Sequence, residues 1–110
     1  MAESLDALKA EFFRSMAHPA RIRILELLVT QDRAVTELLP AVGLEASNLS
    51  QQLTVLRRAG IVNARRQGNA VTYSVASPHI AELLTVARTV LSGLLDEQVD
   101  ALGSSAVDAS

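Results

Sequence analysis

The sequence predicts a mostly α-helical domain carrying one β-hairpin, and three observations point to it. Apolar residues recur at helical spacing through the first half of the chain and again from residue 80 onward. Between these stretches Val62, Ala64, Val71, Tyr73 and Val75 alternate with polar residues, the period of strands with one buried face. Gly43, Gly60 and Gly68 stand where one pattern stops and the next begins. A chain of 110 residues forms one domain, large enough for a single core but marginal if it stands alone, so association would help it.

Taken in order, Leu5, Leu8, Phe12 and Met16 lie on one face of a first amphipathic helix over residues 4–16. Ala17-His18-Pro19 breaks it, and Pro19 suits the first turn of the next helix, where its missing N–H costs nothing. That second helix, about 19–30, has Ile22, Ile24, Leu25, Leu27, Leu28 and Val29 nearly all round its circumference, the mark of a central, buried element. Thr30 to Arg33 is a polar turn. Ala34 to Val42 forms a short third helix anchored by Val35, Leu38, Leu39 and Val42, shortened or distorted by Pro40 and ended by Gly43 in the left-handed conformation.

The fourth helix follows a short turn, with Glu45 and Ser47 both able to cap it. Leu49, Leu53 and Leu56 define its apolar stripe, with Val55 near the edge, and Gly60 closes it. Helix, tight turn and helix make a helix-turn-helix, and the hairpin that follows, turning through Gln67-Gly68-Asn69, is a wing. Ser77 and Pro78 start a last helix. Its broad apolar band of Ile80, Leu83, Leu84, Ala87, Val90, Leu91, Leu94 and Leu95, with Leu102, exceeds what so small a domain can cover. The expected order is therefore α-α-α-α-β-β-α, a winged helix-turn-helix. It is expected to dimerise through the first and last helices, by Leu5, Leu8 and Phe12 with the apolar band from Ile80 to Leu95. Residues 1–102 are expected to form the folded domain and the small, polar residues 103–110 a disordered tail.

The fourth helix carries the chemistry. Opposite its leucines stand Ser47, Asn48, Ser50, Gln51 and Thr54, followed by Arg57 and Arg58. Asn and Gln can pair bidentately with adenine, Ser and Thr with either kind of base, and Arg reads guanine or holds phosphate. A polar helix face ordinarily means solvation, but such a face mixes charges of both signs. Here residues 46–81 contain no Asp or Glu, while Arg57, Arg58, Arg65 and Arg66 supply four positive charges. The net charge of −2 conceals this: residues 1–45 sum to −2, residues 46–81 to +4 and residues 82–110 to −4. The basic strip suits phosphate, and the acidic remainder discourages indiscriminate binding. Double-stranded DNA is the expected partner, since aromatics make up only 3% of the chain and stacking on single-stranded bases would need more.

Other function classes fare poorly. With no cysteine, the chain has no disulfide, thiolate metal site or thiol redox sensor of its own. The charged N-terminus does not read as a signal peptide and no apolar run approaches membrane-spanning length, so a cytoplasmic protein without membrane contact is expected. No glycine-rich phosphate loop is present and neither His lies near an acid at catalytic spacing, so it is expected not to be an enzyme and to need no cofactor. His18 reads as a helix cap beside Pro19 and His79 as a helix-start residue rather than a metal ligand. Asp96, Glu97 and Asp100 read as a solvated acidic end, the alternative being a cation held across a dimer. No metal site is expected.

These motifs together resemble the ArsR/SmtB winged helix-turn-helix repressors, in a cysteine-free branch. The resemblance spans roughly residues 10–98. It rests on Ala17-His-Pro-Ala-Arg-Ile-Arg-Ile-Leu25, Glu37-Leu38, Ser50 with Leu53, Val55-Leu-Arg-Arg-Ala-Gly-Ile-Val62, and the wing Arg65-Arg-Gln-Gly-Asn69 leading to Tyr73. It implies a homodimeric transcriptional repressor on a palindromic operator, released by an effector the sequence does not identify. It also implies DNA-binding roles for Ser47, Asn48, Ser50, Gln51 and Thr54 on the helix and for Arg65, Arg66 and Gly68 in the wing, beside which Gln52, Arg57, Arg58, Gln67 and Asn69 are further candidates. The family often has His at the positions of Gln51 and Gln52, so a different operator sequence is expected. The metal-sensing patterns of such relatives do not carry over: Glu37-Leu-Leu-Pro-Ala stands where some place cysteines, and Ser77 stands where others place an Asp. The competing reading is a winged helix used as a protein-interaction or dimerisation module without a DNA role, motivated by the overall acidity and the apolar terminal helices. The basic strip is what such a module would not need.

Overall fold

Pro19 supplies no N–H to the first turn of a helix, and His18 before it supplies the cap: its Nδ1 accepts the N–H of Ala20 at 3.0 Å. The helix so begun, α2 (Pro19–Leu28), follows α1 (Leu5–Met16), which is capped by Ser4 through the N–H of Ala7. The computed structural model describes the backbone of residues 4–109 and the side chains of residues 4–97. The remaining elements are β1 (Arg33–Ala34), α3 (Val35–Val42), α4 (Ala46–Arg58), β2 (Val62–Gln67), β3 (Ala70–Val75) and α5 (His79–Ala109). Two units divide at Ile80 and Ala81.

In the first unit α2 is the central helix, packed against α3, α4 and β3, as its apolar circumference requires. Ile24, Leu25 and Leu28 from α2, Leu38 from α3, and Leu49, Leu53 and Leu56 from α4 are buried together with Ile61, Val62 and Tyr73. This core is aliphatic apart from the single tyrosine. Gly43 ends α3 with φ 76°, the left-handed residue expected there, and Gly60, expected to close α4, follows it with φ 77°.

Two boundaries differ from expectation. The second helix stops at Leu28 rather than near residue 30, and Arg33 returns to its end: Nε donates to the carbonyl of Leu27 at 3.1 Å and a terminal nitrogen to the hydroxyl of Thr30. Arg33 and Ala34 then form a third strand instead of a turn and helix start. They pair antiparallel with Tyr73 and Thr72, giving the sheet order β1-β3-β2. Two residues are too few to show a strand period, so this edge is invisible in the sequence pattern.

In the second unit α5 carries Val86, Val90, Leu91, Leu94 and Leu95 more than half exposed. The helix is bounded at Ala109, past residue 102 where the folded domain was expected to end; after Pro78 only Gly93 and Gly103 have poor helix propensity. The side chains of Asp100 and Leu102, named in the sequence analysis, lie outside the described residues. No described helix is long and apolar enough to cross a membrane.

Candidate nucleic-acid interface

α4 is held by one side and open on the other. Leu49, Leu53 and Leu56 are sunk in the core, and the residues diametrically opposite on the helix are Ser47, Gln51, Thr54 and Arg58. Ser47, Gln51, Arg57 and Arg58 are exposed and Ser50 with them; Thr54 and Asn48 are half-buried at the flanks. The hydroxyl of Thr54 donates to the carbonyl of Ser50 at 2.8 Å, so toward a ligand it can only accept. Arg57 and Arg58 fall in the last turn, where cations also oppose the negative end of the helix dipole.

Gln52, expected among the DNA-binding residues, does not stand on the open face. It is 8% exposed and the only buried polar side chain among the described residues. Three residues after Leu49 and four before Leu56, it belongs to the edge of the apolar stripe, and this spacing was the available signal. Both ends of its amide are engaged. Arg21 Nε donates to Gln52 Oε1 at 2.8 Å, and Gln52 Nε2 donates to Asn48 Oδ1 at 2.9 Å. Arg21, which the sequence analysis did not single out, also donates from a terminal nitrogen to the carbonyl of Ser15 at 3.1 Å, satisfying a carbonyl at the end of α1.

The wing is the hairpin β2–β3. Its two-residue turn has Gly68 at the first central position with φ 62° and Asn69 with negative φ, the arrangement that matches the twist of paired strands. In β2 alternate residues face opposite sides. Val62, Ala64 and Arg66 share a side with Val75, Tyr73 and Val71 across the ladder, and Asn63, Arg65 and Gln67 share the other with Ser74, Thr72 and Ala70. Arg65 and Arg66 are both exposed, but on opposite sides of the hairpin. Gln67 accepts a hydrogen bond from the hydroxyl of Thr72 at 3.3 Å.

The candidate DNA-reading residues other than Gln52 are thus carried by α4 and the hairpin packed beside it, on one framework whose exposed part contains no carboxylate between residues 46 and 81. The dimer candidates divide: Leu5, Leu8, Val90, Leu91, Leu94 and Leu95 are more than half exposed, Phe12 and Leu83 are half-buried, and Ala87 is exposed. Ile80 and Leu84 are already buried in the single chain and offer little to a partner. Phe13, exposed beside Phe12 with ring centroids 5.5 Å apart, offers more than Phe12 does. Among the described residues no three His, Asp or Glu side chains come together as metal ligands.

Residues 18–64, running from the cap of α2 into β2, match the model of the bacterial regulatory protein, arsR family. The chain is also 67% identical over 102 residues to the uncharacterized HTH-type transcriptional regulator Rv0081 of Mycobacterium tuberculosis, covering 92% of this chain and 90% of that protein. The chain belongs to the ArsR family. The crystal structure of Rv0081 superposes on this ArsR-family chain with a TM-score of 0.82 and 68% identity, over 89% of this chain and 99% of that one. A solution structure of Mb0332 from Mycobacterium bovis, described as a homodimeric winged helix-turn-helix DNA-binding domain, gives a TM-score of 0.75 at 29% identity, over 88% and 95% of the two chains. The fold of this ArsR-family regulator is therefore the winged helix-turn-helix, with α3, the turn at Gly43 and α4 as its helix-turn-helix and β2–β3 as its wing.

Proposed function

We propose that this regulator is a homodimeric, cytoplasmic transcriptional repressor without catalytic activity, which binds a palindromic operator and leaves it when an effector binds. The observation that carries this reading is the acid-free surface from α4 into the wing: Ser47, Asn48, Ser50, Gln51 and Thr54 meet base edges in the major groove, and Arg57, Arg58 and the wing meet the backbone. The exposed apolar residues of α1 and α5 supply the second copy. An exposed run such as Val90, Leu91, Leu94 and Leu95 is unfavourable in water and is covered in a two-fold interface by its own counterpart. Two recognition helices then enter successive major grooves about 34 Å apart.

The test is operator selection from random duplex DNA with the full chain, followed by binding to the DNA upstream of its own gene. Recovery of an inverted repeat with half-sites about one turn apart supports the reading. A folded dimer that selects no sequence, even at low salt, would overturn it. Screening metals, anions and metabolites for release of the complex would identify the effector.

A further inference from the structure

We propose that Gln52 determines operator specificity without touching DNA, by holding Asn48 so that only its amide NH2 faces the groove. This inference rests on the reading of α4 as a recognition helix. It follows from the direction of one hydrogen-bond chain. A guanidinium has donors and no acceptor, so the atom of Gln52 that meets Arg21 Nε at 2.8 Å must be the carbonyl oxygen. The NH2 of Gln52 then faces Asn48, and a donor there requires the oxygen of Asn48 opposite it, at 2.9 Å. The orientation of both amides is thereby set by Arg21, which is itself anchored on the carbonyl of Ser15. The chain links the end of α1, the first turns of α2 and the first turn of α4.

The remaining end of Asn48 is its Nδ2. It has no hydrogen-bond partner among the described residues, and no buried side-chain polar atom among them lacks one, so Nδ2 keeps access to solvent. A freely rotating asparagine pairs with adenine by using both ends, accepting from N6 and donating to N7. Asn48 has its oxygen drawn inward and presents two N–H donors instead. The major-groove edge that offers two adjacent acceptors is guanine, through O6 and N7. Asn48 is therefore inferred to favour guanine at its position in each half-site, and Gln52 is a positioning residue for that choice.

The decisive variant is Gln52→Glu. A carboxylate still accepts from Arg21, and so keeps the link between α2 and α4, but it cannot donate to Asn48. Asn48 must then turn its NH2 inward and its oxygen outward, which favours a base that donates: cytosine N4 or adenine N6. Relative affinities of operator duplexes carrying each base at every half-site position are measured for the wild type, Gln52→Glu, Asn48→Ala and the double variant. The expected result is a shift of about tenfold away from guanine at one position in Gln52→Glu, absent when Asn48 is already Ala. Unchanged preference at every position in Gln52→Glu, with an operator selected normally by the wild type, would overturn the inference and leave the proposed function intact. A wild type that selects no operator would overturn both. Should Gln52→Glu fail to fold, side-chain amide exchange by NMR on the wild type decides: slow exchange at Gln52 with fast exchange at Asn48 is expected, and the reverse order would refute the polarity.

Discussion

Arg65 and Arg66 are neighbours in sequence and opposites in space, and replacing each in turn tests how the wing meets the DNA backbone. Because the two occupy opposite sides of β2, one phosphate chain can engage only one of them. Each protomer then brings Arg57, Arg58 and a single wing arginine to the backbone, and a dimer brings six cations in all. At about −0.9 per neutralised phosphate, the slope of log K against log salt is about −5, so affinity falls roughly a thousandfold between about 50 and 200 mM salt. Changing the engaged arginine to Ala removes two charges from the dimer and moves the slope to about −3.6. Changing the other leaves it near −5. Fluorescence anisotropy of a labelled operator duplex, titrated with Arg65→Ala and Arg66→Ala at several salt concentrations, gives both slopes. Equal loss of slope in the two variants would refute the opposite-face argument, and no change in either would remove the wing from the backbone interface.

Further outcomes follow from the geometry. Gln51→Ala should relax preference at one half-site position by about 1–3 kcal/mol, whereas Arg58→Ala should weaken all sequences alike; identical profiles across operator variants would contradict that division. Gly43→Ala, forced to φ 76°, should lose about 1–2 kcal/mol of stability by urea denaturation, and an unchanged midpoint would show that the turn relaxes at no cost. Leu53→Ala, at a side chain 1% exposed, should cost about 2–5 kcal/mol; a loss near zero would contradict its place in the core. Val90→Glu with Leu94→Glu should yield folded monomers in sedimentation and remove operator binding, and a persisting dimer would move the interface elsewhere.

Much of the architecture could be read along the chain because its causes are local. The leucines of α4, the left-handed glycines at 43 and 60, the cap of His18 on α2 and the alternation in β2 and β3 each follow from helical or strand period and from what a single residue allows its own backbone. β1 was not legible, since two residues cannot display a period and only their pairing with β3 makes them a strand. The end of α2 lies two residues before the expected limit, where Arg33 from beyond the turn meets the carbonyl of Leu27, a contact that the helical period does not display. Phe13 rather than Phe12 is the more exposed aromatic of α1, a difference that the apolar period of the helix does not display.

The sequence by itself determined the family, the order of elements and the position of a basic, acid-free surface, because composition, period and turn chemistry are properties of short segments. What only the tertiary structure decided was the use of particular polar side chains. Gln51 and Gln52 are chemically identical neighbours, yet one is exposed on α4 and the other is buried against an arginine 31 residues earlier in the chain. Hydrogen bonds are directional and a guanidinium only donates, so that one distant contact orients two amides in succession and sets what α4 presents at Asn48.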